Sequence, residues 1–556
     1  MHQAYIYNKF PYSVPPELRG GEAVRHPLVV IGAGPVGLAA AIDARQRGIP
    51  VLLLDDDDTV SVGSRGLCYA KRTLEILDRL GCGDPVVNKG VGWDVGRTFF
   101  REEEVFSFNL RPQPGYKRPG MVNLQQYYLE EYMVRRAQEA GVNLRWKNKV
   151  VGVHTHDNHV RLKVETPDGS YAIEADWLIV CDGARSPIRT MLGLDIDGKV
   201  FMDRFLIADV IMKADFPAER WFWFDPPFHP NQSVLLHREA DDVYRIDFQL
   251  GWDADPEEEK KPEKVIPRIR AMLGDEREFT LEWVSVYTFQ CRRMNDFRHG
   301  RCLFAGDAAH QVSPFGARGA NSGVQDADNL IWKLKLVMEG RAPLRLLDSY
   351  TEERAFAADE NIMNSTRSTD FITPKGHISK IFRNAVLELS RELPFARKLV
   401  NSGRLSVPSF LTTSMLNTPD SEHFAGDMLP GAPMDDAPVE RDSKPRWLID
   451  HVGDRFQLLY FCDDPSAISV PMQQQLRGLA AASIPVHALV IARKAGDCPF
   501  DCVIDTDGLA FQRYDARPHT VYLVRPDQHI AARWRELEVS RIVAAVTRAT
   551  ANFSED

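Results

Sequence analysis

The stretch Leu28–Asp55 reads LVVIGAGPVGLAAAIDARQRGIPVLLLD, and it decides the fold. Apolar residues lead into Gly32, Gly34 and Gly37 at G-x-G-x-x-G spacing, a small-residue helix follows, and a second apolar run ends at Asp55. That is the strand, turn, helix and strand of a dinucleotide site. Gly32 permits the tight turn, Gly34 lets the backbone approach a pyrophosphate, and Gly37 lets helix and strand pack closely. The pyrophosphate would rest on unpaired amides at the positive end of the helix. Asp55 would accept hydrogen bonds from ribose hydroxyls. Taken alone, the stretch leaves FAD and NAD(P) both open.

The remaining sequence bounds the class. The chain has 556 residues, 44% hydrophobic and 26% charged, enough for several domains. A formal charge of -10 argues against nucleic acid as a partner. No apolar run approaches the ~20 residues that span a bilayer, so no membrane partner is expected. Residues 1–26 are aromatic and proline-rich without the apolar core of a secretion signal, and read as an arm across the first domain. The eight cysteines are scattered without metal-ligand spacing, so no metal and a reducing cytoplasm are expected.

Further along, SVGSRGLCYAKRTLEILDRLG places Arg65 in a glycine-rich loop before a helix, and VNLQQYYLEEYMVRRAQEAG reads as an amphipathic helix closed by Gly141. The run WLIV delivers Cys181, Asp182 and Gly183 at a strand end. Residues 200–290 alternate in aromatic and β-branched residues, the pattern of an antiparallel sheet covering a cleft. The chain then returns with CLFA, presenting Gly306 and Asp307. A loop holding Pro314, Gly316, Gly319 and Asn321 opens a long helix with free amides at its N-terminus. A proline-rich linker precedes a final α/β unit.

Three stretches together, GAGPVG at 32–37, CDGARSPIR at 181–189 and GDAAHQVSPFGARGAN at 306–321, resemble the single-component flavoprotein aromatic hydroxylases, the group of 4-hydroxybenzoate hydroxylase and phenol hydroxylase. The last unit resembles the thioredoxin-like domain appended to phenol hydroxylase. It lacks C-x-x-C, since Cys498 and Cys502 stand one residue too far apart, and it reads as a structural or homodimer-forming module. The resemblance implies an α/β fold with a Rossmann-like FAD-binding domain (27–195 and 291–402, the latter with added helices), an antiparallel substrate sheet (196–290), a linker (403–430) and a thioredoxin-like domain (431–556).

It also implies roles. Asp55 would bind the adenosine ribose, Arg65 the pyrophosphate–ribityl region and Gln126 the ribityl or phosphate side. Asp182 would touch FAD and help place the nicotinamide, and Asp307 would bind the ribityl chain. The loop from Pro314 through Gly319 would hold the flavin, with the Ala320 and Asn321 amides at its pyrimidine end, and Arg318 would add a cation. The implied reaction is hydroxylation of a small phenolic or other electron-rich aromatic substrate. FAD, bound non-covalently, is reduced by NADH or NADPH and captures O2 as a C4a-hydroperoxide. Candidates for contacting the phenol are Tyr287, His237 and Tyr244. Some phenol hydroxylases carry an acidic residue just after the Arg65 position; Leu67 stands here, so no base transfers from them. Two other readings remain: a flavin-dependent halogenase, whose W-x-W-x-I-P is approached by Trp221–Pro226 with Asp225 in place of Ile, and a non-catalytic binding protein of the same fold.

Overall fold

The computed structural model describes residues 5–20, 22–111, 114–400 and 405–553; the expected boundary between helices and linker at 402/403 lies outside them. The apolar runs form the central strands of a parallel sheet, in the order Cys302–Phe304, Gly169–Val180, Val24–Ile31, Val51–Leu54, Asn143–Arg145. Leu28 to Ile31, Val51 to Leu54 and Leu178 to Val180 are buried, as strands covered on both faces must be. Pro35–Gln46 and Gly319–Met338 are among the helices packed around it. The strand order reverses between Val24–Ile31 and Gly169–Val180, so the carboxyl ends of the strands open a crevice there.

A second sheet runs His310–Gln311, Thr280–Arg293, Asp197–Ile211, Val243–Leu250, Ser233–Arg238, Arg220–Phe224, Val95–Phe100, Glu103–Asn109. It therefore reaches beyond 196–290 and recruits two strands from within 27–195. Val95–Phe100 pairs in parallel with Arg220–Phe224, while the other pairings are antiparallel. The sheet has two different faces. Leu206, Ala208, Tyr244, Ile246 and Phe248 pack under the helix Pro262–Leu273, through Val265 and Ile269. The opposite face looks at the crevice.

The N-terminal arm lies on the first domain, where Phe10 stacks on Trp146 at 4.5 Å and Tyr5 on Tyr127 at 4.3 Å. The last unit has the strand order 444–447, 438–441, 501–504, 486–492, 456–462, 521–524, 530–534, with a parallel β-α-β unit followed by an antiparallel hairpin and a closing helix.

That unit is fastened to the first domain by buried charges. Glu353 accepts from Arg525 at 2.6 and 3.0 Å, from Lys333 at 2.7 Å and from Asn329 at 2.7 Å, while Arg525 also holds Asp527 at 2.5 Å. Lys333, Arg525 and Asp527 are fully buried, and the two cations and two anions neutralise one another. Burial by itself would raise the Glu353 carboxyl, but Arg525 and Lys333 hold it well below the usual carboxylate range. Removing one partner from such a set strands an uncompensated charge. Glu353→Ala is therefore expected to cost about 3–5 kcal/mol, read as a lower urea midpoint. Because the folded carboxyl is depressed, the parent's advantage is full above the unfolded glutamate value and fades as pH falls below about 4. A pH-independent difference, or none, contradicts this.

Candidate functional site

Each loop of the three motifs follows the carboxyl end of a parallel strand, and packing of backbone on backbone fixes their spacing. Gly32 has φ +97°, and a Cβ there would run into the Cys181 carbonyl. A Cβ at Gly37 would strike the Gly32 carbonyl oxygen. Around Gly34, by contrast, a Cβ would meet nothing within 4 Å, because it borders a cleft of about 250 Å³ lined also by Asp55, Lys149, Asp182 and Gly183. Leu38 is the first residue of the following helix whose amide reaches back, to Gly34 at 3.0 Å, so the amides before it are open to a ligand.

Asp55 lines this cleft and also clamps the turn: its carboxylate accepts from the Ala33 amide at 2.5 Å and the Asp57 amide at 2.8 Å. Burial pushes it up to about 6 against the pull of those amides. Asp182 accepts from the Ile188 amide at 3.1 Å, capping a short helix, while its second oxygen is buried without a partner among the described residues. Burial raises its carboxyl as well. An orphan carboxylate oxygen, open amides and a bare glycine edge on one cleft fit the hydroxyl-rich, phosphate-bearing half of FAD.

The Ser61–Leu67 loop is pinned from several sides. Glu130 accepts from the Ser61 amide at 2.6 Å, Tyr7 from the Gly63 amide at 2.9 Å, and Gln126 from the Gly66 amide at 2.7 Å, while Arg245 donates to the Ser64 carbonyl. Arg65 is left exposed with no hydrogen bond or ion pair among the described residues. Gln126 differs from the expectation. Its amide also donates to Glu130 at 2.7 Å, so it shapes the Arg65 loop instead of reaching outward.

Asp307 stands in a single turn after the strand Cys302–Phe304. Its carboxylate is exposed to the open crevice, and the protein around it raises its pKa by desolvation, opposed by His310 and reinforced by Asp326. Arg189 ties this turn to the Asp182 loop, donating to the Ala308 carbonyl at 2.8 Å and the Ala184 carbonyl at 3.1 Å.

After Pro314, whose carbonyl accepts from Gly316 at 2.7 Å, the long helix begins at Gly319. Ser322 is the first amide to reach back, to Arg318, which leaves those of Gly319, Ala320 and Asn321 without partners among the described residues. The Asn321 side chain is occupied elsewhere, accepting from the Ala70 amide and donating to the Cys68 carbonyl, both at 2.8 Å. Arg318 departs from the expected crevice position: it is 2% exposed and donates to Asn361 at 2.5 Å.

The crevice-facing side of the second sheet carries three cross-strand rows. The first runs Trp283, Asp209, Arg245, His237, Arg220; the second Ser285, Ile207, Asp247, Leu235, Phe222; the third Tyr287, Phe205, Gln249, Ser233, Phe224. Phe205 and Phe289 pack on Phe315 of the helix-opening loop at 4.8 and 5.0 Å. Tyr287 lies on this side, its phenol raised by burial and by Asp307, with Arg65 opposing. His237 lies here too, but is 6% exposed and held neutral, well below its ordinary value, by burial beside Arg220 and Arg245. Tyr244 does not belong to the site. It points to the opposite face and donates to the Ala214 carbonyl at 2.7 Å. Trp221 and Trp223 share that outer face.

Three charged groups on or beside the crevice were not singled out from the sequence. Asp326, fully buried, accepts from the Gly306 amide at 2.9 Å, His310 at 2.6 Å and Arg354 at 2.6 Å. The only sequence signal was an acid on the apolar side of a helix. Arg245 and Asp247 alternate with Tyr244, Ile246 and Phe248, a pattern ordinarily read as a solvated strand face.

The model of a family described as FAD binding domain matches residues 25–365, and that of the HcaD C-terminal domain matches 436–549. The chain is 27% identical to 6-methylpretetramide 4-monooxygenase of Streptomyces rimosus, over 96% of this chain and 94% of that one. It is also 27% identical to a 3-(3-hydroxy-phenyl)propionate/3-hydroxycinnamic acid hydroxylase of Mycolicibacterium gilvum, over 91% and 88%. In fold it resembles the flavin-dependent monooxygenase PieE solved with FAD and substrate (TM-score 0.81, 23% identity, 95% of this chain and 99% of that one). It likewise resembles aklavinone-11 hydroxylase (TM-score 0.76, 21% identity, 96% and 100%).

Asp307→Ala removes the one carboxylate that faces the crevice from the third motif. Loss of a charge-assisted hydrogen bond costs about 1.5–3 kcal/mol, so FAD should dissociate roughly one to two decades more readily while the fold persists. Unchanged FAD affinity in a titration of the apoprotein would show that Asp307 does not hold the cofactor.

Proposed function

The chain belongs to the FAD-binding-domain family, and from that premise we propose that it is a flavoprotein monooxygenase that hydroxylates a phenolic ring at the expense of NADH or NADPH and O2. The observation that carries this reading is the meeting of the cofactor loops with an aromatic sheet face: Phe205 and Phe289 against Phe315, and Tyr287 within the fields of Asp307 and Arg65. Relatives spanning nearly the whole chain bear the names of aromatic hydroxylases, which supports the same class of substrate.

When bound, FAD accepts hydride and activates O2. The chain's own residues supply the setting. Asp55, the Gly32–Gly37 turn and Asp182 would hold the nucleotide half, and Asp307 would hydrogen-bond the ribityl hydroxyls. The amides of Gly319, Ala320 and Asn321 favour negative charge at the end of the ring system nearest them. The phenylalanines exclude water, and Tyr287 gives a polar edge against which an aromatic ring is oriented. Arg65, exposed and unpaired among the described residues, is a cation available to the phosphates or to an incoming nicotinamide nucleotide.

Halogenation is disfavoured because Trp221 and Trp223 lie on the sheet face turned away from the crevice, with Trp221 donating to Glu219 at 2.8 Å. A purely structural binding protein would not need so many open amides and acids on one crevice. We read the final unit as a thioredoxin-like module without redox duty, because Cys498 and Cys502 stand one residue too far apart for C-x-x-C.

With no second dinucleotide motif, the reduced nicotinamide must reach the flavin through the crevice that the substrate shares. A true phenolic substrate is therefore expected to raise NAD(P)H consumption at least about tenfold, a coupling of ~1.4 kcal/mol, and to gain a ring hydroxyl. A non-hydroxylatable analogue should raise consumption and yield H2O2. A panel of phenols that leaves consumption unchanged and unhydroxylated would overturn the proposed activity.

A further inference from the structure

The middle row of the crevice-facing sheet holds one charged residue, Asp247, opposite Ile207 on one side and Leu235 on the other. It sits at the centre of the face. The polar row beside it reaches the Arg65 loop, where Arg245 donates to the Ser64 carbonyl; the aromatic row on its other side reaches the helix-opening loop, where Phe205 touches Phe315. Asp247 is only half-buried, yet its Oδ1 is shut away from solvent with no hydrogen-bond partner among the described residues. Polar groups in such settings are nearly always paired, so a half-open carboxylate that receives no hydrogen bond among the described residues marks a place where a ligand donates.

Resting on the hydroxylase reading, we propose that Asp247 is a catalytic residue that accepts the proton of a phenolic hydroxyl held between the sheet and the cofactor loops. The O–H bond of the phenol breaks, the proton moves to the Asp247 carboxylate, and the electron pair stays on the ring oxygen, where it makes the ring richer in electrons for attack. The product regains a proton from the same carboxyl as it leaves. No other redox partner is required for this exchange.

The surroundings suit the task. Arg245 is already engaged by Asp209 at 2.8 Å and by Glu239 at 3.5 Å, so it does not neutralise Asp247 outright. Arg220, the thiol of Cys68 and the carboxyl of Glu239 are also within electrostatic reach of it. Burial pushes the Asp247 carboxyl up to about 7, with Arg245 and Arg220 opposing and Asp209 adding to the rise. A base at that value is ionised above neutrality and returns its proton readily. Hydroxylation should thus rise with pH through about 7 in the parent.

The test uses the FAD-loaded full chain, with 4-nitrophenol as the probe because its phenolate absorbs visibly. On the parent at about pH 7, where the Asp247 carboxyl is about half ionised and much of the free probe is still neutral, binding should raise the phenolate fraction. Asp247→Asn should abolish that rise with FAD content unchanged, and Asp247→Glu should restore part of it. With a hydroxylated phenol, the Asn variant should lose on the order of 10²-fold in ring hydroxylation at pH 7 and regain rate as pH approaches the phenol's own pKa. An equal phenolate rise in parent and Asn variant, or a parent that leaves the probe's ionisation unperturbed, overturns the assignment. Failure of the hydroxylase reading is a different result: a parent that ionises the probe but adds oxygen to no phenol.

Discussion

The site depends on the buried carboxylate of Asp326. One side chain, in the second turn of the helix Gly319–Met338, holds the Gly306 amide, His310 and Arg354 together. His310 and Arg354 pull its carboxyl below the ordinary range despite full burial, so it stays an anion. A buried anion with three donors cannot be moved without leaving an unpaired charge, which costs several kcal/mol. The turn bearing Asp307 and the open amides at the start of the helix are therefore fixed relative to each other. Further along the same helix, Asn329 and Lys333 reach the Glu353–Arg525 cluster that fastens the C-terminal unit. One helix thus joins cofactor crevice, sheet and appended domain.

The second constraint is close backbone packing. Gly32 abuts Cys181, Gly37 abuts Gly32, and a Cβ at Gly323 would meet Val36 at 2.5 Å and the Gly306 Cα at 3.1 Å. The three motifs are in this sense one structure: Gly32 of the first abuts Cys181 of the second, and Gly306 of the third abuts Val36 of the first. The crevice they leave is lined by polar groups whose bonding capacity the protein itself does not exhaust, as a cofactor rich in hydroxyls and phosphates requires.

The sequence made the dinucleotide fold legible because period and glycine spacing directly encode a strand, a tight turn and a helix. The positions of Asp55, Asp182 and Asp307 just past strand ends were legible for the same reason. What was not legible was the sense of the antiparallel sheet. Tyr244 and Asp247 lie on opposite faces, and alternation alone cannot say which face meets water. Here the apolar face is covered by the helix Pro262–Leu273, so the charged face turns inward to the crevice. Gln126 and Arg318 were placed at the cofactor by motif position; the structure turns both toward protein partners, Gly66 with Glu130 and Asn361, because nearby backbone and side chains offered unpaired groups. Pairing of Arg525 with Glu353 joins residues 172 apart in sequence and leaves no local pattern.

If this crevice brings activated oxygen to an aromatic ring, the source of the new oxygen decides the matter. Turnover of a stimulating phenol under heavy-isotope dioxygen in ordinary water should place one heavy oxygen in the new ring hydroxyl of each product molecule, with the other leaving as water. A new hydroxyl whose oxygen comes from the solvent would contradict it.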